Sequence, residues 1–269
     1  MGGLSRRHCD PAAKTTAFVA FSYDVGIMQR ESASKPSVRH ISMIQITQSR
    51  VIIIAADHFP RLRSEFGQRH CVILPQLFAP GLVRMILQQI ESAQFYCNSH
   101  RDHLAREFAW DLTVRESEMA LHLIHFVLNN PRVFSAVQEI TGCPKIGSFG
   151  GRIYRSLPNK EHRLDWHDDT DRSERLLGIS INLSTERYAG GIFQLRQKES
   201  ERVVCEVGSG NLGDTHVFRI SPQLQHRVTR VEGEVARTSA AGWFLSAPDC
   251  RTALRNLSCA NATIEKCAS

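Results

Sequence analysis

The sequence lacks any apolar run long enough to cross a bilayer. Its most apolar stretch, Val51-Ile52-Ile53-Ile54-Ala55-Ala56, is far short of the ~20 residues that a spanning helix needs. A secretory leader is not expected, because Asp10 and Lys14 interrupt any apolar region near the start. Arg6 stands where a myristoylation signal wants Ser or Thr. The eight cysteines form no C-x-x-C pair, and no Cys/His set has zinc-finger spacing. Scattered single thiols without leader or framework predict a reduced, cytoplasmic protein. A basic stripe is also missing. The net charge of +6 comes from the two ends: residues 1–50 hold seven Lys/Arg against three Asp/Glu, and residues 250–269 hold three against one. The stretch between is neutral, which argues against nucleic acid as a partner of the core, just as the absence of a span argues against a membrane.

What is present is an ordinary globular composition, 42% hydrophobic and 22% charged, in a length that suits one domain. Residues 1–57 are poorly patterned and are expected to form a flexible extension, and residues 250–269, rich in Asn, Ala, Ser and Cys, a loose tail. The domain is expected at 58–249. After a short strand at 71–74, Pro80 opens a helix carrying Leu82, Met85, Ile86 and Ile90 on one face. A second helix is expected at 115–128. A third is bounded by Asn130-Pro131 and Gly142. From there the texture changes to short runs of Val, Ile, Phe and Thr between turn residues, giving candidate strands at 148–155, 176–183, 192–195, 202–207, 215–220, 227–231 and 238–245. Helices first and close-spaced strands after predict an α+β domain, a jelly roll with helices packed on one side.

Trp166-His167-Asp168-Asp169 sits among these strands. On an extended segment residues two apart face the same way, so the imidazole of His167 and the carboxylate of Asp169 can converge. A second imidazole would complete a two-His-one-carboxylate face that leaves open positions on non-haem Fe(II). Taken alone, His-x-Asp is more often a charged surface turn, and Asp165, Asp171, Arg172, Glu174 and Arg175 crowd the same region. The second half shifts the balance. His226 is expected to open a strand 57 residues after Asp169, a distance suited to opposite strands of a jelly roll. Arg237 begins the next, expected to neighbour it through the turn at Glu232-Gly233-Glu234. A buried guanidinium needs an anion, and a carboxylate takes it bidentately.

The stretch from Cys71 to Ala247 resembles the 2-oxoglutarate/Fe(II) oxygenase superfamily, and its prolyl-4-hydroxylase-like branch in particular. The matching pieces are the Tyr154 strand, Trp166-His167-Asp168-Asp169, Ile181-Asn182-Leu183, Gly190-Gly191-Ile192-Phe193, Gly213-Asp214 with Phe218, His226-Arg227-Val228, and Arg237-x-Ser239 with Gly242-Trp243-Phe244. The gap from His226 to Arg237 is one residue longer than is commonest in that branch. The resemblance implies a double-stranded β-helix, His167, Asp169 and His226 as iron ligands, and Arg237 on the distal carboxylate of 2-oxoglutarate with Tyr154 and Ser239 assisting. It further implies oxidation of a substrate C–H by O2 with release of succinate and CO2, on a free amino acid, a peptide or a small metabolite, with ascorbate as an auxiliary reductant. A retained carboxylate at Asp169 argues for hydroxylation over halogenation.

Two other readings stay open. A cupin-type metalloenzyme would share the ligands and have no use for Arg237. A non-catalytic binding module of the same fold would be expected to have lost one of the four residues. Elsewhere, His216 rivals His226 as a ligand but reads better as a strand residue in the wall. His122 and His125 read as partly buried helix residues, His162 as exposed, and Trp166 and Cys205 as core. Gln194 and Arg196 could face either substrate or solvent.

Overall fold

The computed structural model describes residues 43–101, 107–158 and 160–247. Its elements run β1 (Ile44–Ile46), β2 (Val51–Ile53), α1 (Phe59–Arg69), β3 (Cys71–Leu74), α2 (Pro80–Glu91), β4 (Phe95–Arg101), β5 (Glu107–Val114), α3 (Met119–Leu128), α4 (Pro131–Thr141), β6 (Ser148–Ser156), β7 (Arg163–His167), β8 (Arg175–Asn182), β9 (Ala189–Gly190), β10 (Phe193–Gln197), β11 (Val203–Val207), β12 (Thr215–Arg219), β13 (Leu224–Val228), β14 (Val231–Glu232) and β15 (Arg237–Leu245).

The helices form where the sequence punctuates them. Pro80 occupies the first turn of α2, and Leu82, Val83, Ile86 and Ile90 bury one side. Asn130 caps α4 by accepting from the Arg132 N–H at 2.9 Å, and Gly142 ends it at φ +67°. α3 starts at Met119, a turn later than the expected 115. α1 lies outside the expected set. Pro60 opens it and His70, at φ +55°, closes it by donating to the Phe66 carbonyl at 2.8 Å. Ordered structure also begins earlier than residue 58: β1 and β2 pair, and Ile44, Ile46 and Val51 are buried in the main core. The apolar run that begins at Val51 thus starts as a strand that buries Val51 and leaves Ile53 and Ile54 exposed. The tail at 250–269 and residues 1–42 lie outside the described residues.

The main sheet runs β11-β10-β13-β7-β5-β6-β15-β8-β12-β3, with β4 paired to β5. It curls until its two halves face one another. Phe193 of β10 lies 4.4 Å from His216 and 4.7 Å from Phe218, both on β12 at the far side of the hydrogen-bonded order. This is the double-stranded β-helix. Gly178 of β8, directly opposite Phe218 on β12, leaves room for that ring, since a Cβ there would fall 2.0 Å from it. The helices cover the outer face of β6, β15 and β8. Phe134 of α4 meets Phe244 edge-on at 6.1 Å, and the His125 Nε2 of α3 hydrogen-bonds the Gly151 carbonyl at 2.9 Å.

Two expectations about the strands need correction. His226 sits in the middle of β13 and does not open it, because Leu224 and Gln225 already pair with β10. The turn at 232–234 does not make β13 and β15 neighbours. Val231 and Glu232 pair instead with β9, and the chain crosses to the other half of the roll, where β15 lies between β6 and β8. Arg237 therefore reaches the cavity from the opposite wall to His226.

Candidate metal and co-substrate site

Between the two walls lies a cavity of about 630 Å³. At one end His167, Asp169 and His226 offer one ligand atom each, all within 4.8 Å of one another. His226 and His167 are directly opposite on β13 and β7, with ring centroids 4.1 Å apart. Asp169 does not continue the strand as expected. β7 stops at His167, and Asp169 takes a left-handed conformation, φ +59°, which turns its carboxylate back toward the imidazoles. Its Oδ1 lies 3.5 Å from His167 Nε2 and its Oδ2 3.5 Å from His226 Nε2.

Each of these groups is held by a second layer. His167 Nδ1 is 2.8 Å from the Asp165 carbonyl. Because only an N–H can serve that contact, the proton is fixed there and Nε2 presents its lone pair. The Trp243 indole N–H donates to Asp169 Oδ2 at 2.7 Å, and Arg175 donates to Asp169 Oδ1 at 3.2 Å while stacking 3.9 Å over the Trp243 ring. Burial, with the nearby His167, His216 and Arg175, holds the His226 imidazole well below its ordinary pKa, so it stays neutral and able to bind a metal. Neighbouring Asp168 has a different task. It accepts from Thr170 and pairs with Lys198 at 3.1 Å, which fixes the turn.

At the other end Arg237 is buried, 8% exposed, and donates to Ser180 Oγ at 3.4 Å. Among the described residues no carboxylate lies within ion-pairing distance of it. Ser239, directly opposite Tyr154 on β6, is 1% exposed, and its Oγ has no hydrogen-bond partner. Tyr154, Ser239 and Arg237 all line the cavity. Burial, with Asp111 next, pushes the Tyr154 phenol up, so it is a neutral donor. A buried cation without a counter-ion beside an orphaned hydroxyl fits a carboxylate ligand.

Sequence reasoning missed three residues. Trp243, quoted only as part of a matching piece, and Arg175, read only as part of a charged turn, orient Asp169, a role that shows only once the fold is known. Asp111 lines the cavity from β5, its Oδ1 is buried without a partner, and burial lifts its carboxyl to about 7 against the pull of Arg237 and Arg152. Its signal was a lone carboxylate in the strand pattern Phe108-Ala109-Trp110-Asp111-Leu112. Other expectations divide. His162 is buried, not exposed, because its Nδ1 accepts from the Leu157 N–H at 2.9 Å and ties the loop before β7. Trp166 lines the cavity, with the guanidinium groups of Arg196 and Arg227 4.2 and 4.6 Å from its ring centre, where core was expected. Gln194 and Arg196 bond Arg227 and Gln225 across the sheet, outside the cavity lining. Cys205 is core, as expected.

Residues 151–245 match the family model described as the 2OG-Fe(II) oxygenase superfamily, a segment that contains all four of His167, Asp169, His226 and Arg237. No curated protein sequence matches the chain. Among solved structures, an oxidoreductase of the 2OG-Fe(II) oxygenase family from Burkholderia pseudomallei superposes with a TM-score of 0.53 at 14% identity, covering 76% of this chain and 96% of its own. A prolyl-4-hydroxylase from Pseudomonas putida gives 0.50 at 14% identity, over 71% and 100%. A prolyl hydroxylase from Trichoplax adhaerens, solved with a hypoxia inducible factor peptide fragment, gives 0.50 at 12%, over 71% and 90%. At such identities the structures speak to the shared fold.

Proposed function

We propose that this chain, whose residues 151–245 belong to the 2OG-Fe(II) oxygenase superfamily, is an Fe(II)- and 2-oxoglutarate-dependent dioxygenase that hydroxylates a substrate C–H. The observation that carries the reading is the pairing of two ends of one cavity. A cluster of two imidazoles and a carboxylate stands at one end, and a buried arginine without a counter-ion at the other. In this reading His167, Asp169 and His226 bind the iron and leave adjacent positions free. Arg237 takes the distal carboxylate of 2-oxoglutarate, with the Ser239 hydroxyl and the Tyr154 phenol donating to the same group. Iron with bound 2-oxoglutarate supplies the oxidising power, consuming O2 and releasing succinate and CO2.

The chain's own part is placement and exclusion. Phe193 and Phe218 pack on His226 with ring centroids 5.9 and 4.6 Å away and keep water from that side of the metal position. A carboxylate at Asp169 occupies the place that halide would need, which favours hydroxylation. The substrate reading spans amino acids, peptides and small metabolites. The Trichoplax adhaerens neighbour holds a peptide fragment, which supports a peptide among them. The reading places the protein in the cytoplasm, with ascorbate as the auxiliary reductant. Among the described residues no helix is long and apolar enough to cross a membrane.

The test needs no substrate. Fe(II) followed by 2-oxoglutarate is added anaerobically to the apo-protein, and the visible metal-to-ligand charge-transfer band of the chelate is recorded. A band that appears in the wild type and weakens in Arg237→Ala supports the reading. Iron binding without a band moves it to a cupin-type enzyme, and binding of neither moves it to a binding module.

A further inference from the structure

The main sheet ends in two edge strands, β11 and β3, and the curl of the roll brings one cysteine from each into the same small apolar cluster. Cys71 opens β3 directly opposite Phe218, and Cys205 sits in β11 directly opposite Leu195. Val72 and Leu74 pack in the main core, whereas Cys71 joins Phe193, Leu195, Cys205, Phe218 and Leu224. Both thiols are buried. They are also in contact. The Cys71 thiol donates to Cys205, and this bond, aided by the Arg69 charge against the opposing pull of burial, holds Cys205 below the ordinary thiol range. The same bond, with burial, holds Cys71 well above it. Arg69 Nη2 lies 3.8 Å from Cys205 Sγ, and the Arg69 side chain is 44% exposed, so the sulfur lies one flexible side chain from solvent. Phe218 packs 4.6 Å from His226, so the pair adjoins the wall of the metal cluster without belonging to it.

Among the described residues no backbone ladder joins β3 to β11, so side chains alone hold this seam of the roll. We propose that Cys71 and Cys205 are a redox-active dithiol, which hydrogen peroxide converts to an intramolecular disulfide that pins the two edges together. The Cys205 thiolate attacks one peroxide oxygen. The O–O bond breaks, and the other oxygen leaves as hydroxide and takes up the proton that Cys205 released. The Cys71 sulfur then attacks the sulfenic acid so formed. The S–O bond breaks as the S–S bond forms, and the hydroxyl leaves with the Cys71 proton as water. Two thiols and one peroxide thus give one disulfide and two waters, with sulfur oxidised and peroxide oxygen reduced. Arg69 assigns the roles: it favours a thiolate at Cys205, the attacking sulfur, and leaves Cys71 as the resolving thiol. Sulfurs already in hydrogen-bonding contact have little distance to close. Neither cysteine lines the cavity, so the proposal stands apart from the 2-oxoglutarate reading.

The experiment treats the full chain with hydrogen peroxide, with a chelator present so that no iron reacts with the oxidant. Remaining thiols are alkylated, and the peptides are mapped without reduction. A linked Cys71–Cys205 peptide is expected, lighter by the two hydrogens lost and released by dithiothreitol. The oxidised chain should melt about 5–15 °C above the reduced one, because the link constrains a long loop of the unfolded chain. In Cys71→Ala the Cys205 sulfur should accumulate as sulfenic acid, which dimedone labels, whereas Cys205→Ala should leave Cys71 unoxidised. If either variant does not fold, the map of the wild type decides alone. Oxidation of the exposed Cys97 with Cys71 and Cys205 still reduced would overturn the proposal, as would a disulfide of either residue with another cysteine. So would a Cys71–Cys205 link that lowers the melting temperature, since the sulfurs would then meet only by breaking native packing.

Discussion

The two ends of the cavity are built on opposite principles. At the metal end every group is already engaged: His167 by the Asp165 carbonyl, Asp169 by Trp243 and Arg175, His226 by the rings of Phe193 and Phe218. At the far end the polar groups are short of partners. Arg237 makes no ion pair among the described residues, and Ser239 Oγ and Asp111 Oδ1 are buried and unpaired. An engaged cluster is preorganised and costs little to load with metal, because its ligands do not have to move. An unsatisfied cluster stores a desolvation cost that an anion can recover on binding. The contrast teaches that one cavity joins a preorganised ligand cluster to an unsatisfied polar end, as the proposed metal and co-substrate would require.

The largest break of this comparison is at the metal end. Asp169→Ala removes the only carboxylate of the cluster and leaves the Trp243 N–H without its acceptor, while Arg175 keeps Asp171. Turnover should be lost, and anaerobic Fe(II) titration should find no site of wild-type affinity. Retained succinate production by this variant would sink the ligand assignment. Next in size, Arg237→Ala removes a bidentate charge-assisted contact, and the dissociation constant of 2-oxoglutarate should rise by roughly 100-fold or more while Fe(II) affinity holds. Because the buried arginine makes no ion pair among the described residues and acts on the Asp111 carboxyl only at longer range, the melting temperature of the apo-variant should change little. A fall of several degrees would mean that Arg237 is structurally paired after all.

The same contrast decides how much could be read in the sequence. The metal end was legible because ligand chemistry ties residue type to spacing: His-x-Asp and a later His survive as text. The route was less legible than the destination. Asp169 reaches the cluster through a left-handed backbone where an extended strand was expected, and β13 and β15 stand on opposite walls where neighbours were expected. Helix ends were readable at Pro80, Asn130 and Gly142, whose local chemistry acts within one turn. α1, with a histidine in the left-handed closing position, and the β4–β5 pair, which distant β6 and β7 tie into the sheet through β5, offered no such local mark. The far end was half legible. Arg237 could be singled out as text, but Ser180 and Asp111 come near it only through neighbours on other strands that the closed roll brings together.

Asp111 sharpens the comparison through pH. In the unfolded chain its carboxyl ionises near 4, whereas in the folded, ligand-free protein burial raises it to about 7. Between those values the folded state holds a proton that the unfolded state has released, so stability falls as pH rises through this window and levels off above it. A displacement of about three units bounds the effect at roughly 4 kcal/mol. Asp111→Asn abolishes the titration. The variant should match the wild type in melting temperature at pH 4 and exceed it at pH 8. Parallel curves for the two proteins would show that the Asp111 carboxylate is satisfied in the fold, and that the far end is less starved of partners than its geometry implies.

The smallest expected effect probes the metal end without dismantling it. Trp243→Phe keeps an aromatic ring for Arg175 to stack on and deletes only the N–H that holds Asp169 Oδ2. Partners of this kind, one step removed from the metal, are worth about 10- to 100-fold in affinity, and the lower figure applies here because Arg175 still orients the other oxygen. Fe(II) should bind about tenfold more weakly, and 2-oxoglutarate binding at saturating iron should be unchanged. Combined with Arg237→Ala, the two losses should add, since one variant acts on the metal and the other on the co-substrate's far carboxylate. If Trp243→Phe instead weakened 2-oxoglutarate and spared iron, the indole would belong to the co-substrate wall, and the division of the cavity into an engaged end and an unsatisfied end would have to be redrawn around it.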